Sequence, residues 1–309
     1  MPETWARVVE LLQLPFMQRA LLGGVLTGVT GGLLGSFVIF RQLAFFSDAL
    51  GHSALLGIVV GVALGLNPTA VLMGFGVVFA LGVTFILERT QLSPDTVLNI
   101  IYSSSLALAI LGLSLIPGYR GNLNQLLFGD ILGIGLPALW MSGLLLLLAL
   151  GYIGLTLPAQ MLLTLDESLA RARGVEVGWQ RLAFVVLLAL VVALSIRSVG
   201  VLLVSAFVVI PASTARLLGS SFTTYVLLAM ALGGLSAVLG ILLSAAFNLP
   251  SGPSIVATQL LFFLLAMVLK GVWQLHASSC RQPQKPSETA FPPRPGQRGG
   301  GSFLGRPGP

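Results

Sequence analysis

Charge is scarce. Only 8% of the 309 residues are charged while 56% are hydrophobic, against about 25% charged in an ordinary soluble domain, and this excludes a soluble globular protein. Between positions 20 and 276 only 16 of 257 residues are charged. They cluster so as to leave apolar runs long enough to cross a bilayer, about 20 residues each. Alternating apolar and polar segments of about ten residues are also missing, which excludes a β-barrel. The single cysteine, Cys280, excludes an intramolecular disulfide, an iron–sulfur ligand set and a thiolate metal cage. No GxxxxGK[ST] phosphate loop exists, since neither Lys270 nor Lys285 follows a glycine, so the chain is not its own ATPase. Of the net charge of +6, four units come from the segment after 276, with five Lys/Arg and one Glu. The remainder is too weakly basic to imply a nucleic-acid partner.

What is present is a polytopic all-α transmembrane bundle. Charges and Pro/Gly breaks place spans near 20–40, 49–66, 69–88, 96–116, 131–155, 181–196, 198–216, 222–247 and 253–274. Asn67-Pro68 divides one long apolar run and the 248–253 stretch divides another, because the residue before a proline avoids the helical region and proline can open the next helix. The sixth span is short and requires Arg181 and Arg197 to snorkel to the two interfaces; if 181–216 is re-entrant instead, eight spans remain. Residues 1–19 read as an interfacial lead-in rather than a cleaved signal, and 20–276 as the membrane domain. Residues 277–309 read as a basic tail too rich in Pro and Gly to bury a core. With the Arg41 loop cytoplasmic, twelve Lys/Arg fall inside and four outside (Arg7, Arg19, Arg120, Arg197), which places the C-terminus in the cytoplasm of a multi-pass protein of the cell membrane.

Few polar groups remain to carry chemistry. Asp48 and His52 are four apart, about 40° from each other on one helix face and about 6 Å along it. Counted from Arg41 as the cytoplasmic boundary, they lie roughly 10–16 Å deep in a ~30 Å core. They can satisfy each other in the bundle, or they can mark an ion path, as intramembrane ionisable residues generally do. A carboxylate and an imidazole suit Zn²⁺, Mn²⁺ or Fe²⁺, and two ligands make a station an ion can leave. Gly57, Gly61 and Gly65 occupy the opposite face and are expected to pack, as are the glycines of 24–35. The 157–181 loop concentrates Asp166, Glu167, Arg171, Arg173, Glu176 and Arg181. Acidic residues lead, basic ones follow and Gly174 stops the helix, which describes either a solvated loop helix or a docking element for a cytoplasmic partner. Gly129-Asp130 and Ser251-Gly252 match only fragments of intramembrane protease signatures.

Five stretches in order, FSDALGHSALLG (46–57), LLFGDIL (126–132), DESLARARGV (166–175), VGVLLVSAFVVIPASTARLL (199–218) and NLPSGPSI (248–255), resemble the membrane permease subunits of ABC-type zinc/manganese/iron importers. The resemblance runs from about residue 18 to 275. It implies a homodimeric pore in membrane lipid that takes a divalent metal from an extracytoplasmic binding protein. Two copies of a separate cytoplasmic ABC ATPase subunit would drive it, and no cofactor would be permanently bound. It implies that Asp48 and His52 are the metal station and that Asp166, Glu167, Leu169, Ala170, Arg171, Arg173 and Gly174 belong to the ATPase-coupling helix. HSALLG is closer to the zinc-type members, so zinc stands ahead of manganese or iron. Asn248 stands where the family commonly has Asp, and the tail has no counterpart. Readings outside the family are an ion-coupled secondary transporter using Asp48 and His52 as a relay, and a non-transporting membrane assembly factor.

Overall fold

The computed structural model of the chain describes residues 10–115, 129 and 131–280. Among these the helices are α1 (Pro15–Phe40), α2 (Phe46–Ala63), α3 (Pro68–Arg89), α4 (Pro94–Ser114), α5 (Leu136–Leu165), α6 (Glu167–Ala172), α7 (Val177–Val199), α8 (Val201–Leu218), α9 (Phe222–Phe247) and α10 (Ser251–Cys280). A 3₁₀ turn, Ile131–Gly133, precedes α5. Nine of the helices are long and apolar enough to cross a membrane. The compact unit runs to Lys270, and residues 271–280 belong to a second unit. Residues 1–9 of the lead-in, Arg120, most of the 126–132 motif and the tail from 281 lie outside the described residues.

Local chemistry sets the boundaries. Proline opens α1, α3 and α4, where its missing N–H costs nothing. The Ser93 and Ser221 hydroxyls accept from the Thr96 and Thr224 amides at 3.3 and 3.2 Å, capping α4 and α9. Asn248 ends α9 in the left-handed conformation, φ 52°, a backbone state that Asn tolerates better than most residues. Two spans differ from their sequence bounds. The fifth, expected at 131–155, runs over Leu136–Leu165 and contains Pro158, so much of the expected loop is helix. The sixth extends over 23 residues, about 34 Å. It therefore needs no snorkelling at Arg181, which lies inside α7 and pairs with Glu167.

α1 is the buried centre of the bundle and packs on α9, α8 and α5. A methyl group at Gly28 or Gly32 would overlap the carbonyls of Gly233 and Ala229 on α9, so only glycine permits that approach. On α2, Cβ atoms at Gly57 and Gly61 would meet Phe75 and Val71 of α3 at 2.8 and 2.9 Å. These two pack as expected. Gly65 does not: nothing lies within 4 Å of it, and its φ of +65° serves the turn after α2.

Candidate metal path

The helix does not continue through Arg41. The chain leaves α1, turns over 41–45 and opens α2 at Phe46, passing from exposed Gln42 to buried Leu43 and Phe46. Leu43 is buried, and Phe46 packs edge-on against Phe79 of α3 at 5.4 Å. Arg41 is half-buried and lines a cavity with Leu92 and Pro94 at the α3–α4 turn and with Thr164 and Arg181. Its guanidinium lies over the Phe184 ring, 4.3 Å from the centroid, and donates to Gln160, while its Nε and Nη1 are buried without a partner. Depth is therefore read from the neighbours. Phe79 stands ten residues before Arg89, the last residue of α3, about 15 Å along the helix. Tyr102 of α4 packs edge-on against both Phe45 and His52, at 5.7 and 5.1 Å, and stands eight residues after Pro94, about 12 Å. The start of α2 thus lies about 12–15 Å along α3 and α4 from the ends at Arg89 and Pro94.

Asp48 occupies the first turn of α2, where its Oδ1 accepts from the Ser205 hydroxyl of α8 at 3.1 Å. Ser205 also donates to its own helix at Val201 O, 3.0 Å away. His52 does not pair with Asp48; its ring stands edge-on, at 83°, to Tyr102. Among the described residues the ion pairs are those Glu167 makes with Arg171 and Arg181. No three His, Cys, Asp or Glu residues there group to hold a metal.

Asp48 opens onto a cavity of about 600 Å³ whose polar lining is Asp48, Asp95, Asn99 and Ser205. His52 is not part of that lining. Three of these four residues escaped the sequence reading. Asp95 follows Ser93-Pro94 and looks like an ordinary acidic first turn, and Ser205 looks like a small residue in an apolar helix. The signal that could have found them is the i, i+4, i+8 spacing of Asp95, Asn99 and Ser103 on one face of α4.

The other predicted constellation is α6. The Asp166 carboxylate caps it, with Oδ1 accepting from the Ser168 hydroxyl (2.6 Å), Ser168 N (2.8 Å) and Leu169 N (3.3 Å). These hydrogen bonds, the Ser168 hydroxyl foremost, hold the carboxyl below the usual range. Glu167 accepts from Arg171 and Arg181, each at 2.6 Å, Ala170 is buried, and Gly174 stops the helix at φ +78°. Leu169, Arg171 and Arg173 face outward. The structure therefore divides the seven residues between those that build the helix and three that present a surface.

Residues 13–270 match the ABC 3 transport family. Among its relatives the chain is 30% identical over 258 residues to the manganese transport system membrane protein MntC of Listeria monocytogenes, covering 84% of this chain and 92% of that one. It is 33% identical over 248 residues to the high-affinity zinc uptake system membrane protein ZnuB of Haemophilus influenzae, covering 80% and 95%. Among solved structures, PsaBC from Streptococcus pneumoniae in complex with Fab superposes with a TM-score of 0.73 at 30% identity, covering 84% of this chain and 94% of that one. A match over nearly the whole membrane body, in sequence and in helix arrangement, leaves one assignment: the chain belongs to the ABC 3 transport family.

Proposed function

We propose that this chain is the permease subunit of an ATP-driven importer for divalent transition metals, zinc and manganese foremost, with Asp48 and His52 as its intramembrane station. The observation that carries this reading is an ionisable carboxylate within a spanning segment, opening onto a cavity that also holds Asp95, Asn99 and Ser205 rather than neutralised by a cation. A charged group held there costs at least ~2.5–3.5 kcal/mol, and a path for cations accounts for it. Relatives named for manganese and zinc transport support the cargo class. Energy would come from a cytoplasmic ABC ATPase docking on α6, and the ion from an extracytoplasmic binding protein, with two permease copies forming the pore. The proton-relay reading is less well supported, because His52 packs on Tyr102 instead of bonding to Asp48.

The test is uptake of radioactive zinc and manganese into vesicles holding permease, ATPase and binding protein. Asp48→Asn keeps size and hydrogen bonding but removes the charge that offsets cation dehydration, so ATP-dependent uptake collapses while the protein still folds. His52→Gln has the same effect on uptake and spares basal ATP hydrolysis. Wild-type uptake by Asp48→Asn refutes the station, and uptake driven by a pH gradient without ATP refutes the importer.

A further inference from the structure

We propose that Asp95 and Asn99 form a release step beyond Asp48, built from oxygen donors alone and therefore suited to manganese(II). This rests on the reading of Asp48 as a transport station. One cavity joins Asp48 and Ser205 to Asp95 and Asn99, and the packing of α4 gives it a direction. Tyr102 touches the residues on either side of Asp48 in sequence, Phe45 and His52. Asp95 lies seven residues earlier on α4, about 10 Å toward the Arg89 end. That end is cytoplasmic by the distribution of loop cations, so an ion leaving Asp48 inward passes Asn99 and then Asp95.

The face of α4 that carries these residues is an independent observation. Asp95, Asn99 and Ser103 recur at helical spacing and are exposed, and the Ser103 hydroxyl donates to Asn99 Oδ1 at 3.4 Å. A second cavity of about 500 Å³ continues the stripe along Thr96, Asn99, Ser103 and Ser104. Ile100 is exposed beside them, and farther along the large exposed side chains of α4 are Leu108, Ile110 and Leu111, with Ser114 exposed at the helix end. A carboxylate and an amide confined to the first three turns of a spanning helix do not face lipid; they line a wet path.

The donor set gives the chemistry. The polar groups lining the path beyond His52 are carboxylates, an amide and hydroxyls, and the one imidazole of the site is turned against Tyr102. Nitrogen and sulfur donors favour zinc, whereas carboxylate, carbonyl and water oxygens suit manganese(II). An oxygen-only step gives zinc little additional hold and lets a weakly bound manganese ion pass.

The experiment uses the full-length permease in lipid nanodiscs, without ATPase or binding protein, so that neither imposes its own selectivity. Manganese(II) binding is followed by loss of the free-ion EPR signal, and zinc by competition. In His52→Gln, which removes the one imidazole of the site and leaves oxygen donors, zinc competes no more than roughly tenfold better than manganese, the small gap expected of oxygen donors. Asp95→Asn weakens manganese binding at least tenfold, Asp95→Glu restores it, and Asp95→His or Asn99→His shifts the balance toward zinc. Competition by zinc more than a hundredfold better in His52→Gln overturns the proposal. So does manganese binding within twofold of wild type in Asp95→Asn. Failure of the underlying reading looks different: Asp48→Asn then leaves binding of both ions intact while the Asp95 variants change it.

Discussion

Reversing Arg173 to Glu is the cleanest probe of α6 as a coupling element. Arg171 is a poor choice, because it is held by Glu167 at 2.6 Å and its reversal sets two carboxylates against each other. Even so, that pair is largely exposed and contributes only ~0.2–1 kcal/mol. Arg173 enters no ion pair among the described residues, and it stands at the C-terminal cap, exposed. Its reversal costs the helix only the local charge term, ~0.3–1 kcal/mol at low salt. At an interface rim of dielectric ~80, a partner carboxylate about 5 Å away is worth ~0.8 kcal/mol, and reversing the charge doubles the change to ~1.7 kcal/mol, roughly 15-fold in affinity. Arg173→Ala is expected to lose about a quarter of that factor, near fourfold. The assay is titration of the ATPase subunit against labelled permease in detergent at two ionic strengths. The deficit of Arg173→Glu should shrink as salt rises and screening shortens to ~3 Å near 1 M, and metal binding by the permease should be unchanged. Unaltered ATPase affinity at low salt, together with full metal-stimulated hydrolysis, would refute the docking role.

Three further outcomes follow from the fold. Gly32→Ala drives a methyl into the Ala229 carbonyl and forces α1 from α9, so detergent-solubilised protein should lose ~1–3 kcal/mol of stability, seen as a lower Tm. The Asp166 pKa is depressed in the folded state; its cap therefore stabilises α6 above the free carboxylate range and is lost as pH falls through the depressed value. Hydrogen-exchange protection of the Ser168 and Leu169 amides should decline in that acidic window, and Asp166→Ala should abolish the pH dependence. Reporters inserted at 64–67 and at 90–93 should report opposite sides of the membrane, the latter cytoplasmic; finding both on one side contradicts the span order.

The spans were legible because hydrocarbon imposes a length and forbids charge, and because Asn67-Pro68 and the 248–253 stretch contain the residues that stop helices. The end of α5 was not, since nothing charged marks a boundary between 155 and 165 and Pro158 looks like a stop although the helix passes through it. Asp48 stood out as a charge in an apolar run. Asp95 did not, because an acidic residue in the first turn after Ser-Pro is what capping alone would select. The partners of Arg41 were hidden for a similar reason: an arginine between two apolar runs looks like a free loop cation, and Phe184 and Gln160, which hold it, are far away in sequence.

The reversal at 41–45 has an electrostatic consequence for the ion. Because α2 opens at the buried Phe46 with Asp48 in its first turn, its free amide ends, equivalent to roughly half a positive charge, lie beside Asp48. The carboxylate is thus partly neutralised by its own backbone before any metal arrives. On the proposed reading of Asp48 as a metal station, a divalent ion would meet a fraction of a negative charge rather than a whole one. Its residence would be correspondingly brief, and the placement of a helix start would set how quickly the site lets go.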